Sequence, residues 1–508
     1  MTRFFKGCLG VVAALIAVQF ALADVKAGVF SECSPCGEVF CDPCDPCNPC
    51  DAVCGKKSQW NVGGWAEVGL WANQWGRTNS YGPGGVSPGN SQLLSNVRHT
   101  GVQASQIWLF AERTLDTRRG FDVGGRVDFL YGTDGIFTQS DGLEFRSRTP
   151  GATRWGEGDY YASFAQIYAE AGYRDVSVKA GKFLTPFGSE SIMAPNRFFY
   201  SLSYAFSQLP VTHTGVVGTW APSEKFSLIG GWVNGADMTF YDGDNNAAIF
   251  GATFKPNKKV SLSYVGAIGQ DKWGWGFGGW SSVFDISLTV PNPFPFGPPS
   301  ITAPGEFPVG VNPFDLSRTR DYFLQSVIVN LKPNKRWDYT FEWTLRNVVN
   351  GNLDIDPRFA IDYGPASYDL GPFGTFVIPG TEGQIPPGGV STLPIKRYDG
   401  AYGINQELIY TVNKKWAIGG RVEWMHTYGR IYPWLYSNGG AIGAAVGNAV
   451  RFDSNFYGYT LAVNWTPNDW LLVRPEVRYD KVYGGGNPFD ANTRDDQVSG
   501  GVSAVVKF

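Results

Sequence analysis

The sharpest alternation of hydrophobic and polar positions in this 508-residue chain lies between Arg336 and Arg346. One parity holds large apolar side chains: Trp337, Tyr339, Phe341, Trp343 and Leu345. The other parity holds charged and hydroxyl side chains: Arg336, Asp338, Thr340, Glu342, Thr344 and Arg346. A period of two predicts a β-strand with two unlike faces. Because unpaired charges are costly in an apolar core, this strand is typical of a membrane barrel with lipid outside and water inside.

The same pattern recurs over residues 58–508, where we predict an all-β fold, a transmembrane antiparallel β-barrel of about sixteen strands. Seven short turns alternate with eight longer loops. Since bacterial barrels have short periplasmic turns and long extracellular loops, both termini are expected in the periplasm. The alternation is blurred at 105–116 and 322–331, where both parities hold apolar side chains, and this leaves the strand count open by two.

The composition fits a barrel better than a soluble protein. Aromatic residues make up 15% of the chain and 65 residues are glycine, whereas only 17% are charged. Aromatic side chains suit the girdles at the two membrane interfaces, and outer-membrane lipids are the expected surroundings. A soluble surface usually carries more charge. The formal net charge of −3 gives no reason to expect a nucleic-acid partner.

Residues 1–23 have the pattern of a secretory signal peptide. Arg3 and Lys6 precede an apolar run over 9–20, and Ala21-Leu22-Ala23 provides a small-residue cleavage site. The alternative, an uncleaved anchor helix, is disfavoured because the apolar run is short for a membrane span. An exported chain built of alternating strands is expected in the bacterial outer membrane.

Residues 24–57 form a Cys/Pro-rich segment expected on the periplasmic side. Seven cysteines follow the signal peptide: Cys33, Cys36, Cys41, Cys44, Cys47, Cys50 and Cys54. Export favours disulfides within the segment or to a partner protein, and the odd number leaves one thiol over. A zinc site is the alternative, since C-x-x-C pairs recur, but the repeats are uniform and no histidine is nearby.

The C-terminal strand provides an independent indication of a barrel. Val502, Ala504, Val506 and Phe508 share one parity, and the chain as given ends on Phe508. This resembles the closing strand of bacterial outer-membrane proteins, whose terminal aromatic residue is read by the barrel assembly machinery. The resemblance implies that machinery as a partner.

A pore would act through its diameter, its lumen charges and its loops, without catalysis. The charged residues expected to line the pore are Arg126, Asp128, Glu170, Lys179, Arg336, Asp338, Glu342, Arg346, Arg421, Glu423, Arg474, Glu476 and Arg478. Each of them has a structural alternative as half of an ion pair along the wall. The two signs are nearly balanced, so this set predicts no ion selectivity.

The third long loop carries the most specific motif. It begins with Gly-Lys-Phe-Leu-Thr-Pro-Phe-Gly-Ser-Glu over 181–190, continues through Pro195-Asn196 to Tyr200-Ser201, and returns at His213-Thr214-Gly215. This pattern resembles the OmpL-like β-barrel porins of planctomycete-type bacteria. The resemblance covers most of 58–508, is concentrated in 172–220, and leaves the cysteine segment outside the family's common pattern.

The resemblance implies that the third loop folds inward as a constriction and that Glu190 and Arg197 face the pore. A structural role is the alternative. Pro186 and Gly188 would shape a turn, and the aromatic side chains at 198–200 would pin the loop to the wall. Both interpretations hold together, because a constriction loop must be pinned in order to define a diameter.

An enzymatic function is disfavoured. The only histidines are His99, His213 and His426, and no serine and orienting group are arranged around His213 as a hydrolase would need. His/Asp/Glu clusters with metal-ligand spacing are absent from the barrel sequence, so neither a metal site nor a cofactor is expected.

We therefore predict an outer-membrane porin that allows passive diffusion of small hydrophilic solutes and ions. The alternative is a structural or surface-interaction barrel with a plugged lumen, tethered through its cysteine segment. Porins of this size are often trimers, and the apolar stretch at 327–331 would suit a homotrimer interface.

Overall fold

The computed structural model describes residues 59–74, 101–140, 142–144, 155–157, 160–239, 246–271, 320–350, 397–428, 454–484, 489 and 494–508. It also describes two short strand pairs, Thr289–Pro291 with Ser300–Thr302 and Ser367–Asp369 with Thr375–Val377. The predicted signal peptide and cysteine segment lie outside the described residues.

Sixteen long strands follow one another along the described chain. They are β1 (Trp60–Asn73), β2 (Gly101–Arg113), β3 (Phe121–Gly132), β4 (Tyr160–Tyr173), β5 (Val176–Leu184), β6 (Thr212–Ser223), β7 (Phe226–Val233), β8 (Asn246–Asn257), β9 (Val260–Asp271), β10 (Arg320–Leu331), β11 (Trp337–Asn350), β12 (Arg397–Thr411), β13 (Trp416–Tyr428), β14 (Ser454–Asn468), β15 (Leu471–Tyr483) and β16 (Asp496–Lys507).

Every strand pairs antiparallel with its neighbours in sequence. The first and last strands also pair, with Trp65 opposite Lys507 and Asn73 opposite Ser499. Each of these sixteen described strands is therefore paired on both sides and the sheet closes on itself, which is the arrangement that lipid requires. The prediction of a sixteen-stranded antiparallel barrel is confirmed.

The two faces of the strands differ as the alternation predicted. On β11, Glu342, Thr344 and Arg346 are buried inside, whereas Trp337 is exposed on the opposite face. Large apolar side chains are exposed along the outward parity of most other strands, for example Leu109, Val127, Val216, Val422 and Leu461. The outward face suits lipid, and the inward face carries the polar groups.

The closing strand positions the C-terminus. Phe508 donates its backbone N–H to the carbonyl of Gly64 and accepts from the N–H of Gly64, at 3.0 and 2.9 Å. A Cβ atom at Gly64 would lie 2.8 Å from the Phe508 ring, so glycine makes room for this aromatic side chain.

The helices of the described chain are short: α1 (Gly135–Thr138), α2 (Tyr204–Gln208) and the 3₁₀ turns Thr117–Arg119 and Ala194–Asn196. None of the described helices has the length and apolar character needed to cross a membrane. Two of these elements, α2 and Ala194–Asn196, lie in the loop between β5 and β6.

Candidate functional site: the inner loop in the barrel lumen

The loop between β5 and β6, residues 185–211, is the inner loop. It contacts inward-facing residues on widely separated strands: Glu67 on β1, Gln106 on β2, Glu342 on β11, Arg421 on β13 and Glu476 on β15. A segment that reaches strands on different sides of a closed barrel from within lies in the lumen. The prediction that the third loop folds inward is confirmed.

A charged wall faces the inner loop on one side of the lumen. It consists of six inward residues on β13 and β15: Arg421, Glu423, Arg474, Glu476, Arg478 and Asp480. Thr460 lies between Arg421 and Arg478 in the register, and Gly458 lies between Glu423 and Asp480. A Cβ atom at Gly458 would sit 2.9 Å from Arg478 Nη2 and 3.0 Å from Glu423 Oε2. Glycine on β14 therefore lets charges from two non-adjacent strands meet.

Four residues of the charged wall are paired with one another: Arg421, Arg478, Glu423 and Asp480. Arg478 Nη1 lies 2.6 Å from Glu423 Oε2, and Arg478 Nε lies 2.8 Å from Asp480 Oδ1. Arg421 Nε also contacts Glu423 Oε2, at 3.1 Å. These side chains are withdrawn from solvent, so each charge needs its partner to offset the cost of burial.

The carboxylates of the charged wall bind the backbone of the inner loop. The Tyr200 N–H donates to Glu476 at 2.7 Å, and the Ser201 N–H and hydroxyl donate to the same carboxylate. The Tyr204 N–H donates to Glu423 at 2.6 Å, and its hydroxyl donates to Asp480 at 2.5 Å. A loop buried away from water needs such partners for its peptide groups.

Arg474 binds the same loop through carbonyl groups. Its Nη1 donates to the carbonyl oxygens of Ala194, Arg197 and Phe199, at 3.0, 2.9 and 3.4 Å. Its Nη2 pairs with Glu67 across the β15–β16–β1 section of the wall. One planar guanidinium group thus holds the segment of the inner loop from Ala194 to Phe199, because its several N–H groups can donate to more than one acceptor.

The two residues predicted for the constriction lie at opposite ends of this network. Arg197 Nη2 contacts Glu67 Oε2 at 3.0 Å and Asp134 Oδ2 at 3.4 Å, and its side chain is buried. Glu190 contacts Arg421 Nη1 at 3.1 Å and accepts the Ser203 N–H at 2.7 Å. Both side chains therefore tie the inner loop to the wall.

Asp134 lies just after the end of β3, at the start of the second long loop, where it meets Arg197. Burial raises the pKa of its carboxyl group to about 7, and the opposing attraction of Arg197 is smaller than this effect. Gln106 joins the same cluster, because its Nε2 donates to Asp134 at 2.8 Å and to the carbonyl of Ile192 at 2.7 Å.

An apolar wall faces the inner loop on the other side. It is formed by residues of β6 to β10: Val217, Val233, Ala247, Ile249, Val265, Ala267, Tyr322 and Leu324. Phe187 and Leu209 of the inner loop pack against this wall together with Phe183 at the end of β5. Gly188 has a φ of +81°, a conformation that favours glycine. This fits the turn predicted at Pro186 and Gly188, next to which Phe187 packs against the apolar wall.

The predicted lining residues fall into two groups. Eight are buried: Asp128, Glu342, Arg346, Arg421, Glu423, Arg474, Glu476 and Arg478. The other five are half-buried or exposed: Arg126, Glu170, Lys179, Arg336 and Asp338. Arg336 lies in the turn before β11, where its Nη1 donates to the hydroxyl of Tyr410. The structure brings the buried arginines and carboxylates of β13 and β15 together beneath the inner loop, and it leaves Arg336 apart from them.

Sequence reasoning missed the partners of the inner loop on other strands. Glu67 shares its parity with Trp65, Gly69 and Trp71, and a single carboxylate on an otherwise apolar inward face was the available signal. Asp134 and Gln106 gave no such signal, because their role depends on contacts with a loop far along the chain.

The described residues offer no catalytic or metal centre. His213 is buried, and its Nδ1 lies 2.9 Å from the carbonyl of Gly235, beside the rings of Phe183 and Phe187. In the part of the chain that the structure describes, no three His, Cys, Asp or Glu side chains converge as metal ligands. A cavity of about 10 Å³ lies between the inner loop and β11, with Glu190 and Glu342 in its lining.

Comparison with known proteins identifies the family. Residues 59–508 match the model of the family described as "Putative beta-barrel porin-2, OmpL-like". No curated protein matches the chain.

Solved structures of similar fold include outer-membrane porins. OmpT of Vibrio cholerae in its trimer form is 10% identical, with a TM-score of 0.46 over 88% of this chain and 99% of that one. The anion-selective porin of Comamonas acidovorans is 9% identical, with a TM-score of 0.47 over 88% and 99% of the two chains. The channel DcaP of Acinetobacter baumannii is 10% identical, with a TM-score of 0.46 over 88% and 97%. Because the family model spans almost the whole described barrel, the chain belongs to the OmpL-like beta-barrel porin-2 family, whose members are outer-membrane channels without enzymatic activity.

Proposed function

We propose that the inner loop sets the width of this channel and that Glu190 and Arg197 define the constriction by holding the loop. The supporting observation is that each of them bridges the inner loop to a different strand, Glu190 to β13 and Arg197 to β1. Small hydrophilic solutes and ions would diffuse through the space that the loop leaves open. Pore diameter and the charges at the narrowest section then decide which solutes pass.

The remaining lining residues act on either side of this constriction in the proposal. Arg126, Glu170 and Lys179 are half-buried on β3 to β5 and are accessible to permeating ions. The paired charges of β13 and β15 support the loop. A rigid support matters because a loop that shifts by an ångström changes the limiting diameter.

The orientation and partners belong to the same proposal. Short turns would face the periplasm and the long loops the outside, with both termini periplasmic. The barrel assembly machinery would read the strand that ends at Phe508, and the cysteine segment would form disulfides, within itself or with a partner. Three copies would associate through outward apolar side chains such as those at 327–331, in a planctomycete-type bacterium.

A second candidate is a plugged structural barrel. It is favoured by one observation, the burial of eight predicted lining residues beneath or beside the inner loop. In this case the protein would anchor an outer layer through its long loops and would conduct no ions.

Conductance separates these candidates. Purified protein would be inserted into a planar lipid bilayer, and single-channel currents would be recorded. Stable open steps support the channel, and Arg197→Gln should then change the step size because the inner loop loses its contact with Glu67. Folded protein that resists denaturation in detergent but gives no current would overturn the channel proposal in favour of the structural barrel.

A further inference from the structure

Two carboxylates in the lumen form no salt bridge with any described residue. Glu342 on β11 is buried, and it accepts hydrogen bonds from the Ser189 hydroxyl at 2.6 Å and from Ser326 at 3.5 Å. Glu407 on β12 is half-buried, and its hydrogen bond comes from Asn405 Nδ2 at 3.4 Å. The carboxylates of the charged wall, in contrast, lie among arginines.

These two carboxylates are neighbours of a third. Glu342 lies opposite Asn405 in the register, two residues from Glu407 on the same strand. Glu190 of the inner loop repels both Glu342 and Glu407, and these two repel each other. Arg421, which attracts Glu407 from a distance, already binds Glu190, Glu423 and the Ser201 carbonyl. Negative charge is therefore in excess here.

A buried oxygen atom of Asn405 lacks a hydrogen-bond donor, which indicates that a proton or a cation can bind there. Asn405 is fully buried, and its Oδ1 atom has no hydrogen-bond donor although its Nδ2 binds Glu407. The Thr344 hydroxyl, two residues along β11 from Glu342, is also buried and without a partner. A buried acceptor left unpaired is costly, and oxygen atoms surrounded by carboxylates need a proton or a cation.

Space for a small ion exists beside Glu342. The cavity of about 10 Å³ between the inner loop and β11 is lined by Glu190 and Glu342 together with apolar side chains that include Phe187, Phe206 and Leu209. Neither Asn405 nor Glu407 lines it. This volume is about that of one water-sized particle. Glu407 keeps part of its surface exposed.

We propose that Glu342, Glu407 and Asn405 form a binding station for small monovalent cations, and that this station makes the channel prefer cations over anions. Acidic side chains select for cations in channels, and conduction needs a site weak enough to release the ion. Oxygen-only ligands suit hard cations, and the lack of three converging carboxylate or histidine ligands in the described chain fits a passing ion better than a chelated metal. The inference rests on the proposed channel function.

The test is the reversal potential of wild-type and variant channels in a potassium chloride gradient. The wild type is expected to favour potassium. Glu407→Gln, which keeps the shape of the side chain, should lower the potassium-to-chloride permeability ratio about fivefold, the Boltzmann factor for one unit charge at contact distance in water. Glu224→Gln is the matched control, since Glu224 is exposed in the turn between β6 and β7, and it should leave the ratio unchanged.

Crystals soaked in rubidium chloride provide a readout that does not need conductance. An anomalous peak between Asn405 and Glu407, absent in Glu407→Gln, supports the station even if the barrel conducts nothing, in which case only the channel function fails. An open channel that prefers chloride, or one whose selectivity survives Glu407→Gln, overturns the station and leaves the channel function intact. The lack of a rubidium peak at neutral pH also overturns it, because a proton shared between the carboxyl groups would then satisfy Asn405.

Discussion

The charged wall and the apolar wall hold the same loop by different physical means. On β13 and β15, buried arginines and carboxylates make directed bonds to individual peptide groups of the inner loop. On β6 to β10, apolar side chains pack against Phe187 and Leu209, and Ser326 on β10 accepts the Gly188 N–H at 3.3 Å. The charged wall holds the loop mainly through its backbone groups, and the apolar wall holds it mainly through its apolar side chains.

The difference suggests a division of labour. Charge-assisted hydrogen bonds have narrow distance and angle requirements. The charged wall therefore fixes the position of each loop residue along the barrel axis. Burial of apolar surface is non-directional and roughly proportional to area, so the apolar wall stabilises the loop without specifying its register. Loss of contacts to the charged wall should alter the pore diameter. Loss of contacts to the apolar wall should mainly lower the free energy of unfolding.

Removing Arg421 should have the largest effect. Arg421→Met deletes the contacts to Glu190, Glu423 and the Ser201 carbonyl, and leaves the buried carboxylate of Glu190 without its cation. We expect the free energy of unfolding, measured by urea titration in lipid vesicles, to fall by about 3–5 kcal/mol. Single-channel conductance should rise and become noisy, because the inner loop loses its register. A variant with wild-type stability and step size would contradict the role of the charged wall.

Removing Phe187 should destabilise the barrel without changing the pore. Phe187→Ala leaves a cavity against the apolar wall, and we expect the free energy of unfolding to fall by about 3 kcal/mol. The single-channel step should keep its size, because the bonds of the charged wall remain. Phe187→Leu is the matched control and should recover most of the stability. A changed step size in Phe187→Ala would remove the distinction between the two walls.

A larger side chain at Gly69 on β1, which faces Tyr200 of the inner loop, should lower the free energy of unfolding by a smaller amount. A Cβ atom at Gly69 would collide with the hydroxyl of Tyr200, which lies within hydrogen-bonding distance of Gln103 and Ser105. We expect Gly69→Ala to lower the free energy of unfolding by about 1–2 kcal/mol. Adding Tyr200→Leu removes the hydroxyl and the ring carbons that the new Cβ atom would meet, and it should restore part of the loss. If the double variant is less stable than the sum of the two single changes, the collision is not the cause.

Breaking an exposed ion pair should have the smallest effect. Lys332 Nζ lies 2.5 Å from Asp338 Oδ2 at the turn between β10 and β11, where both side chains reach solvent. Lys332→Ala should change the free energy of unfolding by less than about 1 kcal/mol. Comparison with Arg421→Met isolates burial as the source of the effect, and a large loss in Lys332→Ala would undermine that comparison.

The two segments of blurred alternation had a structural cause. On β2, the inward Trp108 and Phe110 pack with Trp65 and with Ile192 of the inner loop. On β10, the inward Tyr322 and Leu324 belong to the apolar wall. Both parities are apolar there because the inner loop, and not water, covers the inward face. The sequence pattern thus marked where the lumen is filled, although periodicity alone could not say by what.

The candidate site was only partly predictable. The motif over 181–190 and the resemblance to OmpL-like porins identified the inner loop and its residues Glu190 and Arg197. Their roles as pore-facing charges remain a prediction, whereas their contacts to Arg421 and Glu67 emerge only in the folded barrel. No feature of the sequence gave a reason to select Asn405. Its proposed role depends on a buried side-chain oxygen that has no hydrogen-bond donor and lies near Glu342 and Glu407.

The sequence by itself determined the strands, their lipid-facing parity, the alternation of short turns with long loops, and the family. These features are local, because the side chains of a strand alternate with a period of two whatever lies across the barrel. Only the tertiary structure decided which lumen charges are paired, since Arg474 meets Glu67 more than 400 positions away along the chain. When the barrel closes, β16 pairs with both β15 and β1. This closure brings charges from distant parts of the chain together, and the paired charges can then bind the inner loop.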